Sequence, residues 1–334
     1  MKQFSSLHHS LHRTLRQRQL LPSQQRLLVA VSGGQDSLCL WQLLVDLQDK
    51  WHWQLAIAHC DHGWELDVGL ADHVAQVAQA AGVQFYLQVA DPNSSLRPTE
   101  ANARAWRYAA LTEIAQNHNY PYVITGHTQS DRAETLLHNL IRGSGADGLQ
   151  SLTWQRPLSS GIHLIRPLLG ISRQETGTFC QQYNLLVWED PYNQDLSYTR
   201  SRIRHQLLPL LSTNFNPQVE VALAQTSEVL RAEVAYLETL AQQILQQASK
   251  EINTLNCLQC SVLQQTPLAL QRRVFRQFLL NHHLSTPTFT QIEELVSLIT
   301  APNGSRTSTF GGGYNFQVVE KHLCLQTPQN KQGA

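Results

Sequence analysis

The chain has 334 residues, 42% hydrophobic and 15% charged, with a formal net charge of zero. That length suits two domains, and the composition is that of an ordinary globular protein. No apolar run reaches the roughly 18 residues that a membrane-spanning helix needs, and the balanced charge excludes a chain that coats itself in nucleic acid by charge alone.

The first residues carry Arg13, Arg16, Arg18 and Arg26 but no acidic residue before Asp36. Such a leader resembles an organelle transit peptide. The spacing of Leu7, Leu11, Leu15 and Leu20 predicts instead an exposed first helix that runs straight into the first strand. Residues 27–31 read as a buried strand, stopped by a Gly pair, and 37–47 as a helix. Strands follow at 55–58, 85–89 and 122–125, alternating with helices at 68–81, 99–117 and 131–141. This rhythm predicts an α/β fold, a doubly wound, mostly parallel sheet with ligands at the carboxyl ends of its strands. After about residue 211 the pattern changes. Residues 219–248 form a long amphipathic helical stretch, further helices follow Pro267 and Pro287, and Gly311 to Gly313 open a short β-rich end. Turn formers at 212–217 predict a boundary there. The expectation is an α/β domain over 1–214 and a smaller, mainly helical domain over 215–334.

Six scattered cysteines predict thiols in a reducing compartment. Cys257 and Cys260, three apart, are expected to share one buried helix face.

The strongest local signal is Ser32-Gly33-Gly34-Gln35-Asp36-Ser37 between a strand and a helix. Two glycines let the backbone approach a phosphate closely, and the Ser hydroxyls, N–H groups and helix N-terminus make an anion nest. Asp36 in such a nest implies a cation, Mg²⁺, bridging phosphate oxygens. His59, Asp61 and His62 after the second strand suit either a metal cluster or a set that positions a nucleotide. Arg104 and Arg107 share a helix face. Asp131 and Glu134, in a first helical turn, either partner the helix dipole or hold an ammonium group. Arg200, Arg202 and Arg204 lie in a stretch, 196–218, with no acidic residue, and offer a grip on RNA phosphates.

The hexapeptide resembles the loop of the PP-loop, or N-type ATP pyrophosphatase, superfamily, whose members cleave ATP between the α and β phosphates and adenylate a substrate oxygen. Further motifs follow in order: His59 to Gly63, Arg104-Ala105-Trp106-Arg107-Tyr108, Gly126-His127 with Asp131 and Glu134, Arg142-Gly143-Ser144-Gly145, Arg166-Pro167-Leu168-Leu169, the stretch from Glu189 through Asn193, and Arg200 to Arg204. Together they resemble the tRNA(Ile)-lysidine synthases. The sequence departs from that pattern at Glu65, Ser130, Arg132 and Ser201.

The resemblance implies a cytoplasmic ligase that uses ATP and Mg²⁺ to adenylate the wobble cytidine of an AUA-decoding isoleucine tRNA and attaches free lysine. It implies ATP contacts at Ser32, Gly33, Gly34, Gln35, Asp36, Ser37, His59, Gly126 and His127, with Asp36 on the metal. Lysine is expected on Asp131 and Glu134, and phosphate or RNA on Asp61, His62, Arg104, Arg107, Arg200, Arg202 and Arg204. Two other readings stand beside it: a tRNA thiolase of the same superfamily, suggested by Cys257 and Cys260, and a nucleotide-binding sensor without activity. The sequence leaves open the oligomeric state, a homodimer included, and the base that deprotonates lysine.

Overall fold

The structure, a computed structural model, describes residues 4–63, 68–91, 100–188, 195–252, 254–282, 284 and 286–327. Thr99, Glu65 and the stretch from Glu189 through Asn193 lie outside them. The chain divides into two compact units, Met1–Leu230 and Arg231–Ala334.

In the first unit the strands are β1 (Arg26–Ala30), β2 (Gln54–Asp61), β3 (Gln84–Val89), β4 (Tyr122–Thr125), β5 (Gln155–Ser159) and β6 (Ile162–Ile165). Among the described residues they form one sheet in the order β3-β2-β1-β4-β6-β5. Every neighbouring pair is parallel except β5 with β6, an antiparallel hairpin at the edge. The helices are α1 (Ser6–Gln17), α2 (Gln35–Trp51), α3 (Leu70–Ala81), α4 (Glu100–Asn117), α5 (Gln129–Ile141), α6 (Ala146–Leu149), α7 (Arg173–Gln182), α8 (Thr199–Arg202) and α9 (Leu208–Asn214), with a π-helical turn at Ile203–Leu207.

The strands alternate between two cores, as a pleated sheet covered on both faces must. Leu27, Val29, Ile57, Ile124 and Ile165 pack with Leu40, Leu43 and Leu44 of α2. Leu28, Ala56, Ala58, Val123 and Leu164 pack with Leu111, Ile114 and Ala115 of α4. The leucine row of α1, expected on an exposed helix, is buried in the first of these cores, where Leu11 and Leu15 each contribute about 1.5–3 kcal/mol. β1 therefore sits beside β4 at the middle of the sheet: the strands that follow β1 extend it toward one edge, and those that follow β4 extend it toward the other. That switch point is where a doubly wound sheet opens a crevice for a ligand.

The second unit takes the end of α10 (Val219–Ala248), then β7 (Ser249–Ile252), β8 (Leu255–Gln259), α11 (Cys260–Gln264), α12 (Leu268–Asn281), α13 (Phe289–Leu298), β9 (Asn315–Val319) and β10 (His322–Gln326). Its strands form an antiparallel sheet in the order β7-β8-β10-β9. Val274, Phe275 and Phe278 of α12 and Leu295 of α13 pack with Leu258, Phe316 and Leu323 of that sheet. This unit is more β-rich than its sequence suggests, because the hairpin of β7 and β8 joins the terminal strands. The units part within α10 rather than at 214/215, since its first turns belong to the first unit. Val219 and Leu223 pack with Ala133, Leu137, Ile203 and Leu208, and the Ser227 hydroxyl donates to the Gln150 carbonyl.

The two neighbouring cysteines do not share a helix face. Cys257 lies in β8 opposite Cys324 of β10, and the two form a disulfide, while Cys260 opens α11. The expectation of six thiols is corrected by that bond. Among the described residues no helix is long and apolar enough to cross a membrane.

Candidate active site

The loop after β1 is shaped by its own hydroxyls. Ser37 Oγ donates to the Gly34 carbonyl and accepts from the Ser32 N–H at 3.2 Å, closing the turn over the N-terminus of α2. Gly33 has φ +81°, in the left-handed region that favours glycine, and its carbonyl accepts from the Trp188 N–H. Gln35 reaches across to α7, donating to the Arg173 carbonyl and the Thr176 hydroxyl.

Asp36 projects from the first turn of α2. Burial raises its carboxyl above the usual range, against the pull of Arg173 Nη1 at 3.1 Å and of the Thr176 hydroxyl. One hard carboxylate beside a phosphate nest is a donor set that Mg²⁺ accepts, because this ion draws its other ligands from phosphate and water. No group of three metal-ligating side chains occurs among the described residues. The cluster reading of His59, Asp61 and His62 is thereby corrected. His59 Nδ1 donates to the Val31 carbonyl, Asp61 Oδ1 accepts from the Gly63 N–H, and His62 Nε2 accepts from Arg107 at 3.1 Å.

His59 stands near the carboxyl end of β2. It is 2% exposed, and burial holds its pKa down, so the ring is neutral. With the proton on Nδ1, its Nε2 presents a buried lone pair that has no hydrogen-bond partner among the described residues. Such a lone pair suits an amine or hydroxyl of a nucleotide. From β4, Gly126 lies against the start of α2, and His127 Nδ1 meets the Thr125 hydroxyl at 2.9 Å. Burial lowers His127 to about 3, and burial with Arg107 lowers His62 to about 4.

Asp131 and Glu134 face the same way, as their spacing predicts, and one guanidinium bridges them. Arg204 Nε donates to Glu134 Oε1 at 2.6 Å, and its Nη2 donates to Glu134 Oε2 at 2.9 Å and to Asp131 Oδ1 at 3.3 Å. Asp131 Oδ2 accepts from the Thr128 N–H and hydroxyl, a capping box that fixes the carboxylate. Burial alone would raise Asp131, yet His127, Thr128 and Arg204 hold it below the usual range. The pKa values of Glu134 and Arg204 are both raised, which favours the neutral acid at Glu134 but the charged guanidinium at Arg204. Burial raises Glu134, whereas burial of Arg204 is outweighed by Glu134 and its guanidinium is held charged. Both Glu134 oxygens accept from the same guanidinium, so the ionised form is the one that fits. Arg204, expected on RNA, thus turns into the site. Arg200 Nη2 donates to Thr135 and Arg202 Nη2 to Thr199.

A second cationic group surrounds Tyr108. Arg104 and Arg156 lie 5.1 and 4.6 Å from its ring centroid, and Arg166 Nη2 donates to its hydroxyl at 3.4 Å. Burial works to raise the Tyr108 phenol, but Arg104 and Arg166 bring it below its ordinary value. Arg107 is exposed and turned to His62. The sequence did not single out Arg173, Thr176 or Tyr108 as site residues. The one available signal for the first two was the Ser172/Glu175 capping box that starts α7.

The departures at Ser130 and Arg132 point away from the carboxylates, toward α10. The Ser130 hydroxyl donates to Glu220 and accepts from the Arg173 N–H. Arg132, 3% exposed, donates to Glu228 Oε2 at 2.7 Å; Glu228 also accepts from Arg18 and from Trp154 Nε1. One face of α5 therefore holds the carboxylates, and the other holds the start of α10.

A glycine-bearing strand–loop–helix at the switch point, an acidic residue in its nest and a neighbouring strand end pressed against it define a PP-loop nucleotide-binding domain. Residues 6–211 match the PP-loop domain family, and residues 258–319 match the TilS substrate binding domain. The chain is 53% identical over 341 residues to a tRNA(Ile)-lysidine synthase of Nostoc sp. strain PCC 7120, covering 98% of this chain and 99% of that protein. It is 55% identical over 314 residues to the synthase of Synechocystis sp. strain PCC 6803, covering 92% and 93%. A chloroplastic tRNA(Ile)-lysidine synthase of Zygnema circumcarinatum is 38% identical, over 93% of this chain and 84% of its own. The chain belongs to the tRNA(Ile)-lysidine synthase family. The fold is also that of a U34-tRNA thiolase from Methanococcus maripaludis, with a TM-score of 0.56 at 19% identity over 67% of this chain and 78% of that one.

Proposed function

We propose that this chain is a cytoplasmic ATP-dependent carbon–nitrogen ligase that converts the wobble cytidine of an AUA-decoding isoleucine tRNA to lysidine. The cytidine O2 attacks the α phosphorus of ATP, the bond to the β phosphate breaks, and pyrophosphate leaves. The ε-nitrogen of lysine then forms a bond to C2, the C2–O2 bond breaks, and AMP carries O2 away.

The loop from Ser32 to Ser37 takes the phosphates with its N–H groups and hydroxyls, while Asp36 would hold Mg²⁺, whose charge neutralises phosphate oxygens. His59 accepts from the nucleotide, and Gly126 lets the end of β4 stand close to the loop. Asp131 and Glu134 orient the lysine. Arg104, Arg107, Arg200 and Arg202 supply cationic contacts to RNA phosphates, which position the tRNA without reading its sequence. The second unit, part of which matches a substrate binding domain, assists in seating the tRNA.

The observation that carries this reading is the placing of an acidic, glycine-bearing phosphate loop and a carboxylate pair, half-buried Asp131 with buried Glu134, at the ends of β1 and β4. The test is pyrophosphate release from ATP with unfractionated tRNA, with and without lysine. Release that needs tRNA, and turnover that needs lysine, support the proposal. ATP binding without release supports a sensor, and sulfur transfer to tRNA supports a thiolase.

A further inference from the structure

Two cysteines stand one helical turn behind the contacts between the phosphate loop and α7. Gln35 begins α2 and Cys39 follows it by four residues, so both lie on one face of that helix; Thr176 and Cys180 repeat the spacing on α7. The two helices meet in step along these faces. At the first level Gln35 donates to the Arg173 carbonyl at 2.6 Å and to the Thr176 hydroxyl at 2.8 Å, and Asp36 accepts from Arg173 and Thr176. A Cβ built on Gly177 would lie 3.1 Å from Gln35 Oε1, so α7 approaches α2 closely here.

At the second level the thiols meet. Cys39 and Cys180 are 0% and 3% exposed and belong to one core. Cys180 Sγ donates to the Gln35 carbonyl at 3.4 Å, and the two thiols share a hydrogen bond. Packing alone would accept them as small apolar side chains. Their place behind the loop makes a bond between them consequential.

A disulfide holds its sulfurs about 2 Å apart, well inside the separation of two hydrogen-bonded thiols. It also removes the proton with which Cys180 holds the Gln35 carbonyl. The bond would draw α2 and α7 together one turn from Asp36, whose contacts with Arg173 and Thr176 belong to the unbonded spacing. Burial selects the oxidant. A protein disulfide is too large to reach these sulfurs, whereas a hydroperoxide is small enough to enter.

We propose that Cys39 and Cys180 form an oxidation site for a hydroperoxide, and that the disulfide between them displaces the phosphate loop and weakens ATP binding. With hydrogen peroxide, one sulfur attacks the O–O bond, which breaks to leave a sulfenic acid and one water. The other sulfur then attacks the sulfenic sulfur, the S–O bond breaks, and a second water leaves with the remaining thiol proton. The thiol pair loses two electrons and the peroxide gains them. The effect on ATP rests on the reading of Ser32 to Ser37 as the nucleotide loop, proposed above.

The test is calorimetric binding of a non-hydrolysable ATP analogue to the full chain before and after hydrogen peroxide, with peptide mapping of the treated protein. Treatment should link the peptides of Cys39 and Cys180 and lower the affinity by at least about tenfold, the contribution of one hydrogen bond to a charged group. Dithiothreitol should restore it. Cys180→Ser keeps a donor for the Gln35 carbonyl, so it should bind the analogue as untreated wild type does and hold that affinity through peroxide. Treatment that oxidises half-buried Cys60 but leaves Cys39 and Cys180 unlinked overturns the proposal. So does a linked protein with unchanged affinity, or an equal loss in Cys180→Ser. The first two outcomes are read on the wild type and stand even if the variant misfolds. Untreated protein that does not bind the analogue refutes the loop reading itself, and the proposal falls with it.

Discussion

A Cβ built on Gly126 would lie 2.8 Å from the carbonyl oxygen of Asp36 and 3.0 Å from the Ser37 nitrogen. Both neighbours are backbone atoms of the phosphate loop's helix start, so neither can swing aside as a side chain would. The chain just past β4 meets the start of α2 at this residue. Gly126→Ala must therefore push the loop away from the strand end, at a stability cost of about 1–3 kcal/mol. We expect loss of measurable ATP binding in a protein that still folds, read by calorimetry beside a thermal melt. Unchanged ATP affinity would show that the loop does not need this close approach.

Asp36→Ala removes the one carboxylate in the nest. Pyrophosphate release should be abolished while the melting temperature stays near wild type, because burial already disfavours the charged form of this group. Normal turnover in the variant would take Asp36 out of the metal and phosphate roles.

The reach of sequence reasoning followed the distance between partners. The phosphate loop was legible because strand, glycines and helix cap are contiguous, and the shared face of Asp131 and Glu134 follows from helical periodicity. Arg204 was read as an RNA contact because its partners lie 70 and 73 positions away. The disulfide joins residues 67 apart that meet only once β8 and β10 pair. β5 escaped notice because Gln155, Arg156 and Pro157 do not read as a strand, and Pro is tolerated there only because β5 is at the sheet edge.

Two half-buried histidines set a pH dependence. Burial takes His127 to about 3 and His62 to about 4 from an unfolded value of 6.5. Between these values the unfolded chain binds more protons than the folded one, so stability is full above pH 6.5 and falls as the pH drops toward 4 and below. Thermal unfolding across about pH 4.5–8.5 (two units either side of 6.5) should show this slope, and His127→Gln should flatten it. An equal slope in the variant would remove His127 as a contributor.

Glu228 is the shared acceptor of Arg18, Arg132 and Trp154, and Arg132 is nearly fully buried. Glu228→Ala leaves that guanidinium without its carboxylate and should destabilise the first unit by about 3 kcal/mol. Adding Arg132→Met should recover part of the loss. Denaturant unfolding of the two single variants and the double variant reads the coupling; strictly additive effects would dissolve the link between α5 and α10.

The most direct measurement is transfer of isotopically labelled lysine to an isoleucine tRNA bearing a CAU anticodon. The account predicts label in the tRNA that requires ATP, with one AMP and one pyrophosphate formed per lysine attached, and none when the wobble cytidine is replaced by uridine. Label transfer without ATP, ADP in place of AMP, or no transfer by a folded protein that binds both ATP and tRNA would contradict it.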